Sequence, residues 1–186
     1  RACFPDGSFA EQVFTNTFLV RRYDRAARLT RYDRDVLGRV TNQVDNATNS
    51  VAYRYDSAGN VTNLVDQSGN VTRFRYDQRG RLIAKIYADG VSNSFVYNAA
   101  GRQAQKTDGK GAVTQYHYDE AGNLTNIVYP NDPAVVFEYD SLNRMTKMVD
   151  GIGTSCYTYV GTVGFIVSFD GPFSDDTVDY GYDAGH

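Results

Sequence analysis

The sequence predicts an all-β fold of tandem antiparallel hairpins, joined into one continuous curved sheet. Three observations carry that prediction. Asp35, Asp56, Asp77, Asn98, Asp119 and Asp140 stand 21 residues apart. Three positions after each comes Gly38, Gly59, Gly80, Gly101 or Gly122, with Asn143 in the sixth copy. Two aromatic positions, two residues apart, precede each turn. They hold Tyr32, Tyr53, Phe74, Phe95, Tyr116 or Phe137, and then Tyr55, Tyr76, Tyr97, Tyr118 or Tyr139, with Arg34 in the first copy.

Each element has a physical reason. Asp-x-x-Gly describes a type I turn closed by a residue of positive φ. The Asp side chain accepts from amides ahead of it, and Gly takes that φ without a Cβ penalty. Asn143 suits the same position, because Asn tolerates the left-handed region next best. Loops of this length containing Gly join antiparallel strands. The two aromatics project from one face of the entering strand, where they can form cross-strand pairs. The leaving strand opens on Val40, Val61, Leu82, Leu124 or Met145. Four positions on comes Val44, Val65, Ile86, Val128 or Val149, and the even spacing predicts one shared face. Copy four carries Gln103 and Thr107 instead, which predicts a weaker or more exposed strand.

A second turn closes each repeat. It begins at Asp45, Asp66, Asp108 or Asp150 and reaches Gly69, Gly90, Gly111 or Gly153. One repeat is then two strands of about six residues, marginal alone but stabilised by stacked neighbours. Composition agrees. The chain has 15 Tyr, 10 Phe and no Trp, a mixture that favours pleated surfaces, and 17 Gly for turns. The domain reading is a single array over 1–186, irregular in 1–31, regular in 32–159, and variant and truncated in 160–186. Phe4-Pro5-Asp6-Gly7 resembles the second-turn segment Tyr87-Ala88-Asp89-Gly90. Tyr23-Asp24 reads as a YD turn with Ala27 in the Gly position. Residues 161–179 read as a long loop or a variant hairpin, and Tyr180–Gly185 as the start of another turn. The chain opens and stops in mid-pattern, so it reads as a piece of a longer protein.

Charge and chemistry narrow the function. The net charge is −3, with acidic and basic residues interspersed, and no basic stripe suggests nucleic acid. No apolar run approaches a membrane span. Cys3 and Cys156 read as isolated strand residues, too few for a disulfide framework. His117 lies between Tyr116 and Tyr118 on the opposite face, and His186 is terminal. Neither has the partners of a catalytic or metal site. The Asp-rich segments Asp108–Gly111 and Asp150–Gly153 lack calcium-loop spacing and read as turn caps. The Arg following the turn Gly or Asn could meet anionic sugars, or pair with the Asp and lie over a Tyr ring. The pairing is favoured, because Asn60 and Asn123 fill the same position. No catalytic residue, cofactor or metal site is expected, and the chain is read as no enzyme.

The consensus aromatic-x-Tyr-Asp-x-x-Gly-Arg/Asn-Leu/Val resembles the YD repeats of the Rhs family, shared with insecticidal toxin complexes and teneurins. The motif residues are Tyr55, Asp56, Gly59, Tyr76, Asp77, Gly80, Tyr97, Asn98, Gly101, Tyr118, Asp119, Gly122, Tyr139, Asp140 and Asn143. The resemblance covers nearly the whole chain, most securely 32–145. It implies a fragment of a β-shell that encloses or presents a toxin or other C-terminal cargo. It also implies an extracellular or cell-surface location in a bacterial parent. The implied partners are the rest of the shell and its enclosed segment, and exposed strand edges add the expectation of an edge-strand dimer. A cell-surface carbohydrate-binding module is the alternative. The family's Pro-rich Asp-Pro-x-Gly-Leu core motif is absent, since Asp132-Pro133-Ala134-Val135 is only a turn. No catalytic residue is therefore carried over.

Overall fold

The computed structural model describes residues 2–4, 6, 8–161 and 164–182. The chain divides into two compact units, residues 1–93 and 94–186. The first holds β1 (Ala2–Cys3), β2 (Phe9–Thr15), β3 (Phe18–Tyr23), β4 (Leu29–Arg34), β5 (Val40–Val44), β6 (Ser50–Tyr55), β7 (Val61–Val65), β8 (Val71–Tyr76) and β9 (Leu82–Ile86). The division falls inside β10 (Ser92–Tyr97). The second unit continues with β11 (Gln103–Thr107), β12 (Val113–Tyr118), β13 (Leu124–Val128), β14 (Val135–Tyr139), β15 (Met145–Val149), β16 (Thr154–Val160), β17 (Phe165–Asp170) and β18 (Val178–Asp179). Within each unit every strand pairs antiparallel with its neighbour in sequence. No helix occurs among the described residues, and the all-β hairpin-repeat class holds.

The turns follow their sequence. In the second repeat the Asp56 amide donates to Asn60 O, and the Gly59 amide donates to Asp56 O. Gly59 sits at φ 93° and Gly80 at φ 75°. Asn143 takes the same region at φ 61°. Ala27 does so at φ 57°, but in the turn between β3 and β4, which is the second-turn position of its repeat. The turn before it is a tight one, with Asn16 and Thr17 both at positive φ. Gly153 departs from the other second-turn glycines. Its φ is 159°, and Asp150 donates to Gly153 O rather than to the next residue. In place of the long loop or variant hairpin expected at 161–179, β17 pairs back on β16 and is followed by the short β18, with residues 162–163 outside the described residues. Phe4 donates to Ser8 O as Tyr87 does to Val91 O, although Pro5 and Gly7 lie outside the described residues. The turn expected at Tyr180–Gly185 runs from Asp183 outside them too, as does His186.

A bulge corrects the expected facing of the apolar pairs. The register slips by one between Arg54 and Tyr55, so Val61 opposes Tyr55 while Val65 opposes Ala52. Tyr55 and Ala52 are three apart on one strand and point to opposite faces. Val61 and Val65 therefore do as well, and even spacing fails because an extra residue is inserted between them. The same slip recurs before Arg34, Tyr76, Tyr118 and Tyr139. In copy four the expected greater exposure is corrected. Gln103–Thr107 is half-buried along its whole length, as its counterparts are. Burial there comes from strands on both sides and not from the residues' own hydrophobicity.

Among the described residues neither unit has a buried hydrophobic core. Among the described residues no hydrophobic side chain is fully buried. Entering strands alternate between half-buried and exposed residues, whereas the leaving strands are half-buried apart from Ile83 in β9. Cohesion must come from what joins one repeat to the next.

Candidate functional site: the seam between repeats

The motif Asp ties each turn into a knot. Asp77 Oδ1 accepts the amides of Arg79 and Arg81, and Oδ2 accepts Arg81 Nε at 2.8 Å. Asp140 and Arg144 repeat this arrangement, with Arg144 Nε donating to Asp140 Oδ2 at 2.7 Å. Where Asn replaces Arg the geometry persists. Asn60 Nδ2 donates to Asp56 Oδ2 at 3.0 Å, and Asn123 Nδ2 to Asp119 Oδ2 at 2.9 Å. Both side chains place one N–H donor at the same point, which explains the Arg/Asn alternation. In Asn98 the amide oxygen accepts from the Arg102 amide. These donors hold the turn carboxyls below their ordinary range. The Asn60 side chain does most for Asp56, and the Arg81 side chain for Asp77.

The Arg also reaches forward. Arg39 lies 4.7 Å from the Tyr55 ring centroid and donates Nη1 to Asp56 O, in the next repeat. Arg102 lies over Tyr118, and Arg144 over Tyr159. The two arrangements weighed from sequence, pairing with Asp and lying over a Tyr ring, occur together in Arg39 and Arg144.

The motif Tyr reaches backward. Tyr55 Oη donates to Val40 O at 2.6 Å, Tyr76 to Val61 O at 2.9 Å, Tyr118 to Gln103 O at 2.8 Å and Tyr139 to Leu124 O at 2.9 Å. In each case the acceptor opens the leaving strand of the preceding repeat. The cause is local. The β7–β8 ladder stops at Asn63 and Arg73, so it does not reach Val61. The hydroxyl occupies the place of the missing ladder donor. Burial pushes the Tyr76 and Tyr139 hydroxyls upward in pKa, with the Asp56 and Asp119 charges adding to it.

Arg34 takes the Tyr position in the first copy and does the same work. Its Nε donates to Leu19 O at 3.0 Å, again fifteen residues back. The sequence held this signal unread. The position before the turn is Tyr or a long donor, never Phe, while the position two earlier mixes Tyr and Phe. Only the first needs a donor.

Other candidate residues fall elsewhere. His117 is exposed and opposes Asn126, on the face away from Tyr116. Cys3 and Cys156 are free and exposed. Asp108 accepts from the amides of Lys110 and Ala112, and Asp150 from those of Ile152 and Gly153. Among the described residues no three His, Cys, Asp or Glu side chains gather as metal ligands would.

The family model described as the teneurin YD-shell matches residues 30–155, the stretch in which knots and bridges recur. The chain belongs to the teneurin YD-shell family. It is an Rhs/YD-repeat protein, as its motif predicts. Among curated proteins no relative matches. Solved structures do. The TcdB2-TccC3-TEV crystal structure aligns with 90% of this YD-shell chain at TM-score 0.72 and 18% identity. TcdB2-TccC3-Cdc42 aligns with 86% at TM-score 0.70 and 18% identity. The Tc holotoxin pore of Photorhabdus luminescens aligns with 76% at TM-score 0.64 and 18% identity. At this identity the likeness is one of fold. The YD-shell chain spans about a tenth of the first two of those chains.

Proposed function

We propose that this chain is a wall segment, one array over 1–186 in a longer YD-shell protein, that encloses or presents a polypeptide cargo. The observation that carries the reading is the Tyr-to-carbonyl bridge between successive repeats. It commits the most recurrent polar side chains to holding strand to strand. The motif residues from Tyr55 to Asn143 are, on this reading, structural. They are occupied with one another and supply no convergent acid, base and nucleophile of the kind catalysis needs. The chain is no enzyme on this account. Its partners are the remainder of the shell and the segment within it, and its parent acts outside the cell or at its surface.

The test uses the parent protein. A segment C-terminal to the array should resist added protease while the shell is intact, and become sensitive when the shell is opened with urea below its melting point. Immediate cleavage of that segment in the intact parent would refute the reading. Binding of neutral glycans to the 186-residue chain, lost on changing exposed tyrosines, would instead favour a carbohydrate-binding module.

A further inference from the structure

Folding creates a charged surface that the sequence disperses. Residues 1–93 hold 14 Lys and Arg against 10 Asp and Glu, whereas residues 94–186 hold 5 against 12. The strand register then gathers part of the first unit's charge onto one face. Arg54 opposes Asn63, and Asn63 opposes Arg73. Arg75 follows on the same strand and face, two residues on. Arg21 and Arg31 oppose each other directly, on the same side of the sheet. All five arginines are exposed. None of their guanidinium groups makes a hydrogen bond or ion pair with a described residue. The acids nearby on that face are Glu11 and Asp33, and Asp33 accepts Asn42 Nδ2.

The fold does not ask for this arrangement. Like charges directly opposite on a sheet are destabilising. The corresponding face of the second unit carries Gln115, His117 and Asn126, with Lys147 paired to Glu138. The hairpin geometry is thus satisfied without the arginines.

We propose that the Arg54, Arg73 and Arg75 face, extended by Arg21 and Arg31, binds an acidic polypeptide segment in extended conformation. Guanidinium forks pair carboxylates bidentately. Arg54 and Arg73 are separated by two strand spacings, about 10 Å, and Arg73 and Arg75 by about 7 Å along one strand. The second spacing is also that of alternate side chains on an extended peptide. The Asn63 amide between the arginines can donate to and accept from a peptide group. No ring lies among Arg54, Asn63, Arg73 and Arg75 on which a base or sugar could stack, as single-stranded nucleic acid requires. The proposal rests on the reading that the array holds a polypeptide, and adds the chemistry of the stretch it holds.

The experiment uses the 186-residue chain and two labelled peptides, one alternating Glu and Ser and one alternating Gln and Ser, followed by fluorescence anisotropy at low salt. The Glu peptide should bind at least about tenfold more tightly than the Gln peptide, and raised salt should weaken it, since exposed ion pairs are screened. Arg54→Gln/Arg73→Gln/Arg75→Gln should remove most of that preference. Arg22→Gln/Arg79→Gln/Lys85→Gln removes as much charge from the same unit and should retain it. Matching circular dichroism melts establish that both variants fold. Equal loss in the two variants, or equal affinity for both peptides, would overturn the proposal. So would a heparin fragment or single-stranded DNA of equal charge that binds more tightly than the Glu peptide and is also released by the first variant. Failure here leaves protease protection in the parent unaffected, so the two readings fail separately.

Discussion

Tyr76→Phe removes one oxygen and nothing else, which makes it the sharpest probe of the seam. Tyr76 Oη donates to Val61 O at 2.9 Å across the gap where the β7–β8 ladder has stopped. A net intramolecular hydrogen bond contributes about 1 kcal/mol, and the side chain is half-buried, so water can partly replace the donor. The expected loss is therefore about 1 kcal/mol, or about 2–4 °C in Tm where the 186-residue chain melts as one cooperative unit. Tyr53→Phe, in the preceding repeat, is the matched control. Its hydroxyl makes no hydrogen bond with a described residue, and Phe74, Phe95 and Phe137 fill the same position elsewhere. It should change stability by less than about 0.5 kcal/mol. Tyr76→Phe and Tyr139→Phe share no partner, so the double variant should lose about 2 kcal/mol. Urea melts followed by circular dichroism measure all four proteins. A neutral Tyr76→Phe, or a Tyr53→Phe that costs as much, would show that the hydroxyl bridge does not hold the repeats together.

Gly80→Val should cost about 1–3 kcal/mol in the same melts, because a β-branched residue is forced to positive φ. A Cβ there would meet only Asn60 Oδ1 at 3.8 Å, so the cost is one of backbone and not of crowding. Asp77→Ala should cost less than Gly80→Val. The Asp turns should also make the array sensitive to acid. Their folded pKa values lie below the ordinary 3.8, so their contribution is complete above that value and is lost as pH falls through the folded values. Asp77→Asn, which copies the Asn98 turn, should flatten that dependence, as melting temperature against pH would reveal. The tyrosines give the opposite limit. Tyr76 and Tyr139 are raised above 10.0, so their contribution is complete below that pH and is lost as pH rises through the folded values. Absorbance titration should show one fewer late-ionising group in Tyr76→Phe. Among the described residues β1 pairs only with β2 and β18 only with β17, and the 186-residue chain should self-associate through such edges at high concentration in sedimentation velocity. A strict monomer throughout would count against edge pairing.

The turns were legible because turn chemistry is local. Asp accepts from amides two and four residues ahead, and Gly or Asn takes the positive φ, so Gly59 and Asn143 can be placed without knowing what surrounds them. The facing of Val61 and Val65 was not legible, because it depends on a bulge whose extra residue has no composition of its own. Gln103 shows a related limit. Burial in a leaving strand comes from the strands on either side, and polarity alone misjudged it. The tyrosine bridge lay between these cases. Its trace was the exclusion of Phe from one aromatic position and not the other, yet its acceptor lies fifteen residues away and only the register brings it near. The arginine face was invisible for the opposite reason. Arg54, Arg73 and Arg75 are interspersed with neutral residues along the chain, and they converge only when alternation and cross-strand pairing are applied together.

The absence of a buried core among the described residues explains why the motif takes the form it does. A repeat with a core could be held by apolar packing, and any large side chain would serve at the aromatic positions. Here no hydrophobic side chain among the described residues is fully buried, so packing alone leaves the repeats weakly joined. Four of the repeats instead donate a Tyr hydroxyl backward, the first uses Arg34 for this, and several copies send one Arg forward. Tyr suits the backward role because its ring covers apolar surface while its hydroxyl reaches a backbone acceptor. Arg34 shows that the role and not the residue is what the position requires, since it reaches the equivalent carbonyl from a different side chain. Backbone carbonyls are present whatever the sequence, so a bridge aimed at one leaves the acceptor strand free to vary. That freedom lets one unit carry arginines on its open face and the next carry Gln115, His117, Asn126 and the Lys147–Glu138 pair there, within a single repeat geometry.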